Sequence, residues 1–109
     1  MSNIYKGVTP TLTFTFPNEV DLTEAESVWF TMTDDKGKLL FDKDQNSQGV
    51  TVTSHAVEVY LTQNETLSMP PVVVMQVNWT YMQGGVLKRA CSDKVRERFE
   101  NNLKNGVIE

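Results

Sequence analysis

Histidine and cysteine are almost missing from this chain of 109 residues, which has one of each, His55 and Cys91. A single cysteine excludes an internal disulfide, so stability has to come from packing. One Cys and one His also exclude a zinc site built from the usual ligands. A thiol nucleophile needs a base beside it, and His55 falls in a predicted turn, as a solvated residue, while Cys91 falls near a strand end as a small, partly buried apolar one. No apolar run reaches the length of a membrane span. The opening residues, Met-Ser-Asn-Ile-Tyr-Lys-Gly, lack the apolar core of a signal peptide. The expectation is cytoplasmic synthesis without secretion by that route.

Positive charge is scarce until late in the chain. Residues 1–87 carry four basic and ten acidic side chains, whereas residues 88–98 carry five basic and two acidic ones. The net charge of -4 argues against a general nucleic-acid or anionic-membrane surface. An apolar fraction of 39% and an aromatic fraction of 9% suit one globular domain over 1–109 with a single core. Internal repeats and low-complexity segments are absent from the sequence.

What is plentiful is alternation. Residues 72–81 read V-V-V-M-Q-V-N-W-T-Y, with Val73, Met75, Val77, Trp79 and Tyr81 forming one apolar face. The other face turns polar at Gln76, Asn78 and Thr80, the period of a central strand with one side in the core. Residues 11–16 alternate threonine with Leu12, Phe14 and Phe16 between Pro10 and Pro17, which suits a strand with marked ends. Residues 27–42 read as a hairpin around Asp34-Asp35-Lys36-Gly37. Residues 50–53 and 56–61 pair around Ser54-His55. Thr62 with Glu65 predicts a capped helical turn near 62–68, and residues 21–25 a second short turn. Met69-Pro70-Pro71 ends that helix, and Gln83-Gly84-Gly85 sends the chain back through residues 86–91. Residues 92–99 predict a last strand, with a helix through Val95, Phe99 and Leu103 as the alternative and a further helical turn after it. About seven strands on short turns is the pattern of an all-β antiparallel sandwich, with a tail from about 100.

No catalytic constellation emerges. Asp42, Asp44 and Asn46 match the first half of a calcium loop, but Ser47 stands where the glycine belongs and Thr53 where the glutamate belongs, so the reading is a solvated loop. The acidic pairs Asp34/Asp35 and Glu24/Glu26 fall in surface turns with nothing to separate their pKa values. The basic run Lys88, Arg89, Lys94, Arg96, Arg98 is the most informative charge feature. It reads as a solubilising edge, as a match for an acidic protein patch, or as a grip on phosphates. Trp29 and Tyr60 lie opposite the apolar faces of their strands. They are candidates for an exposed interaction patch or, as an alternative function, a sugar-stacking surface.

The order of motifs carries a resemblance over nearly the whole chain. Gly7-Val8-Thr9-Pro10-Thr11 leads into an alternating strand, and Leu61-Thr62-Gln63-Asn64-Glu65-Thr66-Leu67 follows later. After these come Met75-Gln76-Val77, Gly84-Gly85, Ser92-Asp93 and an ending 103–108. This order resembles small proteins of Gram-positive prophages and is similar to the N-terminal immunoglobulin-like domain of phage baseplate upper proteins. The resemblance implies an immunoglobulin-like sandwich, no cofactor and no catalytic residues. It also implies a role in the virion, made in the bacterial cytoplasm and bound to tail or baseplate proteins or to itself. The Lys88-Arg89 pair and the basic last strand depart from the family's pattern.

Overall fold

The computed structural model describes residues 3–109. Nine strands follow one another: β1 (Asn3–Tyr5), β2 (Thr11–Thr15), β3 (Ala25–Asp34), β4 (Leu39–Asp44), β5 (Val50–Val52), β6 (Ala56–Tyr60), β7 (Val72–Gln83), β8 (Val86–Cys91) and β9 (Val95–Glu100). One helix, α1 (Gln63–Leu67), and a 3-10 turn at Leu22–Glu24 complete the elements. The fold is all-β. Among the described residues, no helix is long and apolar enough to cross a membrane.

The expected elements form where the alternation placed them. The apolar face of β7 is buried at Val73, Met75 and Val77, then half-buried at Trp79 and Tyr81. Thr62 and Glu65 close a capping box, each side chain meeting the other's backbone N–H. Gly84 and Gly85 both take positive φ, 58° and 77°, as a two-residue turn between twisted strands demands. Gly49 is needed for another reason: its φ is 86°, and an added Cβ would stand 3.0 Å from the Tyr60 carbonyl oxygen.

Two sheets share one core. The larger has six strands in the order β1-β9-β7-β3-β4, with β8 also on β7, and the smaller has three, β2-β6-β5. Phe14, Val57 and Val59 from the small sheet meet Phe30, Met32 and Met75 from the large one. The Phe14 and Phe30 rings lie 5.6 Å apart, centre to centre. Each such side chain contributes about 1.5–3 kcal/mol by leaving water. Beyond the strands, Lys43 leaves the core side of β4 to pair with Glu65 of α1 at 2.6 Å, so the helix is tied to the large sheet.

Three expectations need correction. Among the described residues the strand count is nine and not about seven: β1 was not foreseen, while the expected last strand forms as β9 and adds to the seven before it. The large sheet is mixed, because β1 runs parallel to β9. The helical option for the C-terminal segment fails: Phe99 is buried on β9, Leu103 is fully exposed, and residues 101–109 form no helix. Backbone bonding to β7 and β1 decides for a strand where side-chain spacing left a choice.

Candidate interaction surface

The outer face of the large sheet is built by register. β3 sets Trp29 beside Asn78, Ser27 beside Thr80 and Thr31 beside Gln76 of β7. β4 continues these rows with Asp44 beside Trp29 and Asp42 beside Thr31. On the opposite flank of β7, Arg89 of β8 stands beside Thr80, while Arg96 and Arg98 of β9 stand beside Val74 and Val72. Directly paired residues share a face. The outer face therefore runs from a basic flank, across Trp29, to an acidic flank.

The polar groups of this face bond across strands. The Thr31 hydroxyl donates to Asp42 at 2.5 Å, and Arg89 Nε donates to Asn78 Oδ1 at 3.1 Å. The Ser27 and Thr80 hydroxyls are 2.7 Å apart. Together with Trp29 these side chains line a shallow hollow of ≈ 280 Å³. Lower on the same face, Lys94 and Arg96 share a second hollow of ≈ 300 Å³ with Asp34 and Asp35. The Asp34 carboxyl is held below its usual range first by the Lys38 backbone N–H, with further help from the Lys36 N–H and both ammonium groups.

The predicted basic stripe divides. Lys88 stands beside Tyr81 on the inward side of β8, away from Arg96 and Arg98. Counting by twos along one continuous strand would group Lys88 with Lys94, Arg96 and Arg98. The chain breaks at Ser92-Asp93-Lys94, where three residues stand against only two of β7, Gln76 and Val77, and the one extra residue exchanges the faces. Arg89 joins Arg96 and Arg98 instead. Arg98 Nε also lies 3.9 Å from Glu100.

Trp29 and Tyr60 are both exposed, at 41% and 47%. They do not share a surface. Tyr60 pairs with Thr11 on the outer side of the small sheet, whereas Trp29 sits on the outer side of the large one. A sugar platform built from the two is therefore ruled out by the layering.

Cys91 pairs with Asn78 on the outer side of β8 and is exposed; the expected partial burial was wrong. His55 is half-buried in its turn, with Nδ1 2.7 Å from the Val20 carbonyl oxygen, so it is held in place and not freely solvated. The Asp44 carboxylate accepts from the Asn46 N–H and the Ser47 hydroxyl, which makes the half-matched calcium loop a turn. A hollow of ≈ 510 Å³ opens between β2 and the β8–β9 break, lined by Phe14, Phe16, Trp79 and Val95, with Asp93 on its rim.

The acidic flank is what sequence reasoning missed. Asp42 and Asp44 alternate with Phe41 and Lys43, so the period of β4 continues into the stretch whose composition predicts a solvated loop. Extending that alternation by one turn of the pleat would have found it.

No family model, no curated protein and no solved structure matches this chain.

Proposed function

We infer that this is a non-enzymatic interaction module whose working surface is the outer face of the large sheet. The observation that carries the reading is Trp29, an exposed indole in the middle of a face whose two flanks bear opposite charge. Aromatic anchors ringed by polar groups suit protein contacts. Cross-strand bonds already occupy the polar groups there, which fits a contact surface better than a reaction centre.

The particular module we propose is an immunoglobulin-like sandwich acting as a phage tail or baseplate component. The order of sequence motifs supports this setting, and two sheets around one core support the architecture. The test is mass spectrometry of purified phage particles from a lysogen that encodes the chain. The protein should be present at a fixed ratio to the other tail proteins. Its absence from particles that contain every other tail protein would overturn the assignment.

A second reading has one specific observation behind it. Trp29, Asp42, Asn78 and Arg89 around the ≈ 280 Å³ hollow offer a stacking plane with hydrogen-bonding rims, as a glycan site requires. Titration of Trp fluorescence with a panel of mono- and oligosaccharides tests it, and an unchanged emission throughout removes it.

A further inference from the structure

The outer face of the large sheet is polar in the electrical sense, and its two flanks are matched in height. Arg96 stands at the level of Val74 on β7 and Arg89 at the level of Thr80. On the other flank Asp42 stands at the level of Gln76 and Asp44 at that of Asn78, through Thr31 and Trp29. Each arginine is thus two residues, about 7 Å along the strand, from the height of a carboxylate on the far flank. That offset is within the reach of an extended arginine side chain.

We propose that two copies of this chain pack outer face to outer face about a twofold axis parallel to β7. This rests on the interaction-module reading and names the partner of its surface as a second copy. Rotation about that axis keeps each residue's height and exchanges the flanks. Arg96 and Lys94 of one copy then lie over Asp42 of the other, and Arg89 lies over Asp44. Arg98 meets the turn that holds Asp34 and Asp35. An axis perpendicular to the strands would instead lay basic flank on basic flank, which like-charge repulsion opposes. The symmetry of the contact follows from the charge pattern.

The same packing covers the apolar side chains that this face leaves in water. Trp29 lies near the centre, Leu39 stands beside Thr33 near one end, and Met82 and Leu87 form a cross-strand pair at the other. The four strands β9, β7, β3 and β4 span about 19 Å, and ten residues of β7 span about 33 Å. The projected face is roughly 600 Å² per copy, within the range of a small specific dimer interface.

Sedimentation equilibrium across a range of concentrations reads the association, with circular dichroism confirming that every variant is folded. Wild type should be a dimer that weakens as salt rises. Arg96→Glu with Arg98→Glu should weaken association at least about tenfold, and so should Asp35→Lys with Asp42→Lys. Combining all four substitutions restores opposite charges across the axis and should return the affinity to within about threefold of wild type. A wild-type monomer at high concentration overturns the proposal. So does a fourfold variant as weak as the pairs, or a dimer lost on Tyr60→Ala and kept in the charge pairs. A monomeric protein that is nevertheless found in phage particles overturns the twofold contact alone. A salt-sensitive dimer that is absent from particles overturns the tail assignment alone.

Discussion

The Ser92 hydroxyl oxygen accepts the Val77 backbone N–H at 3.0 Å, and the Ser92 N–H donates to the Val77 carbonyl at 2.8 Å. This serine stands where β8 has ended and β9 has not begun, and its side chain supplies the acceptor that a continuous strand would have offered from its backbone. Gln76 adds a bond from its Nε2 to the Ser92 carbonyl at 2.9 Å. The break can therefore shift the face of the following residues without leaving buried Val77 unsatisfied. The position of Arg96 and Arg98 beside Arg89, and hence the basic flank, depends on it.

Ser92→Ala removes that acceptor and leaves a backbone donor buried without a partner. The expected loss is about 1–3 kcal/mol in urea unfolding. Ser92→Thr, which keeps the hydroxyl, should lose much less. An unchanged midpoint in the alanine variant would show that water replaces the hydroxyl.

Thr66 ties the loop after β1 to α1. Its hydroxyl accepts from Gly7 N–H at 2.9 Å and donates to the Val8 carbonyl at 2.8 Å, and the residue is fully buried. Thr66→Val keeps the shape and loses both bonds, at a cost of about 1–3 kcal/mol. Amide exchange at Gly7 should accelerate in the variant while exchange at Val77 slows or quickens only with global stability.

Glu65 gives the acid limb of the stability curve a specific origin. Burial pushes its carboxyl up, but the Lys43 ammonium and the Thr62 bonds pull it down further, so it lies below the ordinary 4.5. A group depressed on folding stabilises above its unfolded value and loses that contribution as pH falls through its folded value. Wild type should thus lose its advantage over Glu65→Gln progressively below pH 4.5. Parallel stability curves for the two proteins from pH 6 down to pH 3 would contradict the pairing.

Trp29 and Phe30 are neighbours in sequence with opposite fates, one on the outer face and one in the core. Phe30→Ala should cost about 3–5 kcal/mol. Trp29→Ala should cost clearly less than Phe30→Ala in the monomer, because Trp29 keeps 41% of its surface in water whereas Phe30 is fully buried. Thermal unfolding at concentrations low enough to exclude association separates the two.

Much of the sheet structure is legible because each long strand buries one side only, which prints a period of two on the sequence. Residues 11–16, 27–42 and 72–81 show this plainly. β1 escaped because a three-residue strand that sends Ile4 to the core is too short to show a period. The last strand was ambiguous because Val95 and Phe99 fit both a helix and a strand; only their pairing with β7 and β1 decides. The surface was less legible than the core. Its charges were visible one by one, but which face each took depended on the break at Ser92 and on how far β4 continues past Phe41. Neither is a local property of those residues.

The most direct test of the account is competition for assembly into phage particles. A lysogen would express the wild-type chain together with a distinguishable copy carrying Trp29→Ala and Arg96→Glu, both confirmed folded, and a Tyr60→Ala copy would serve as control. If the proposed tail role holds, wild type and the Tyr60 control should enter purified particles equally, while the face variant should be depleted at least about tenfold. Equal incorporation of the face variant, or the absence of all three from intact particles, would contradict it.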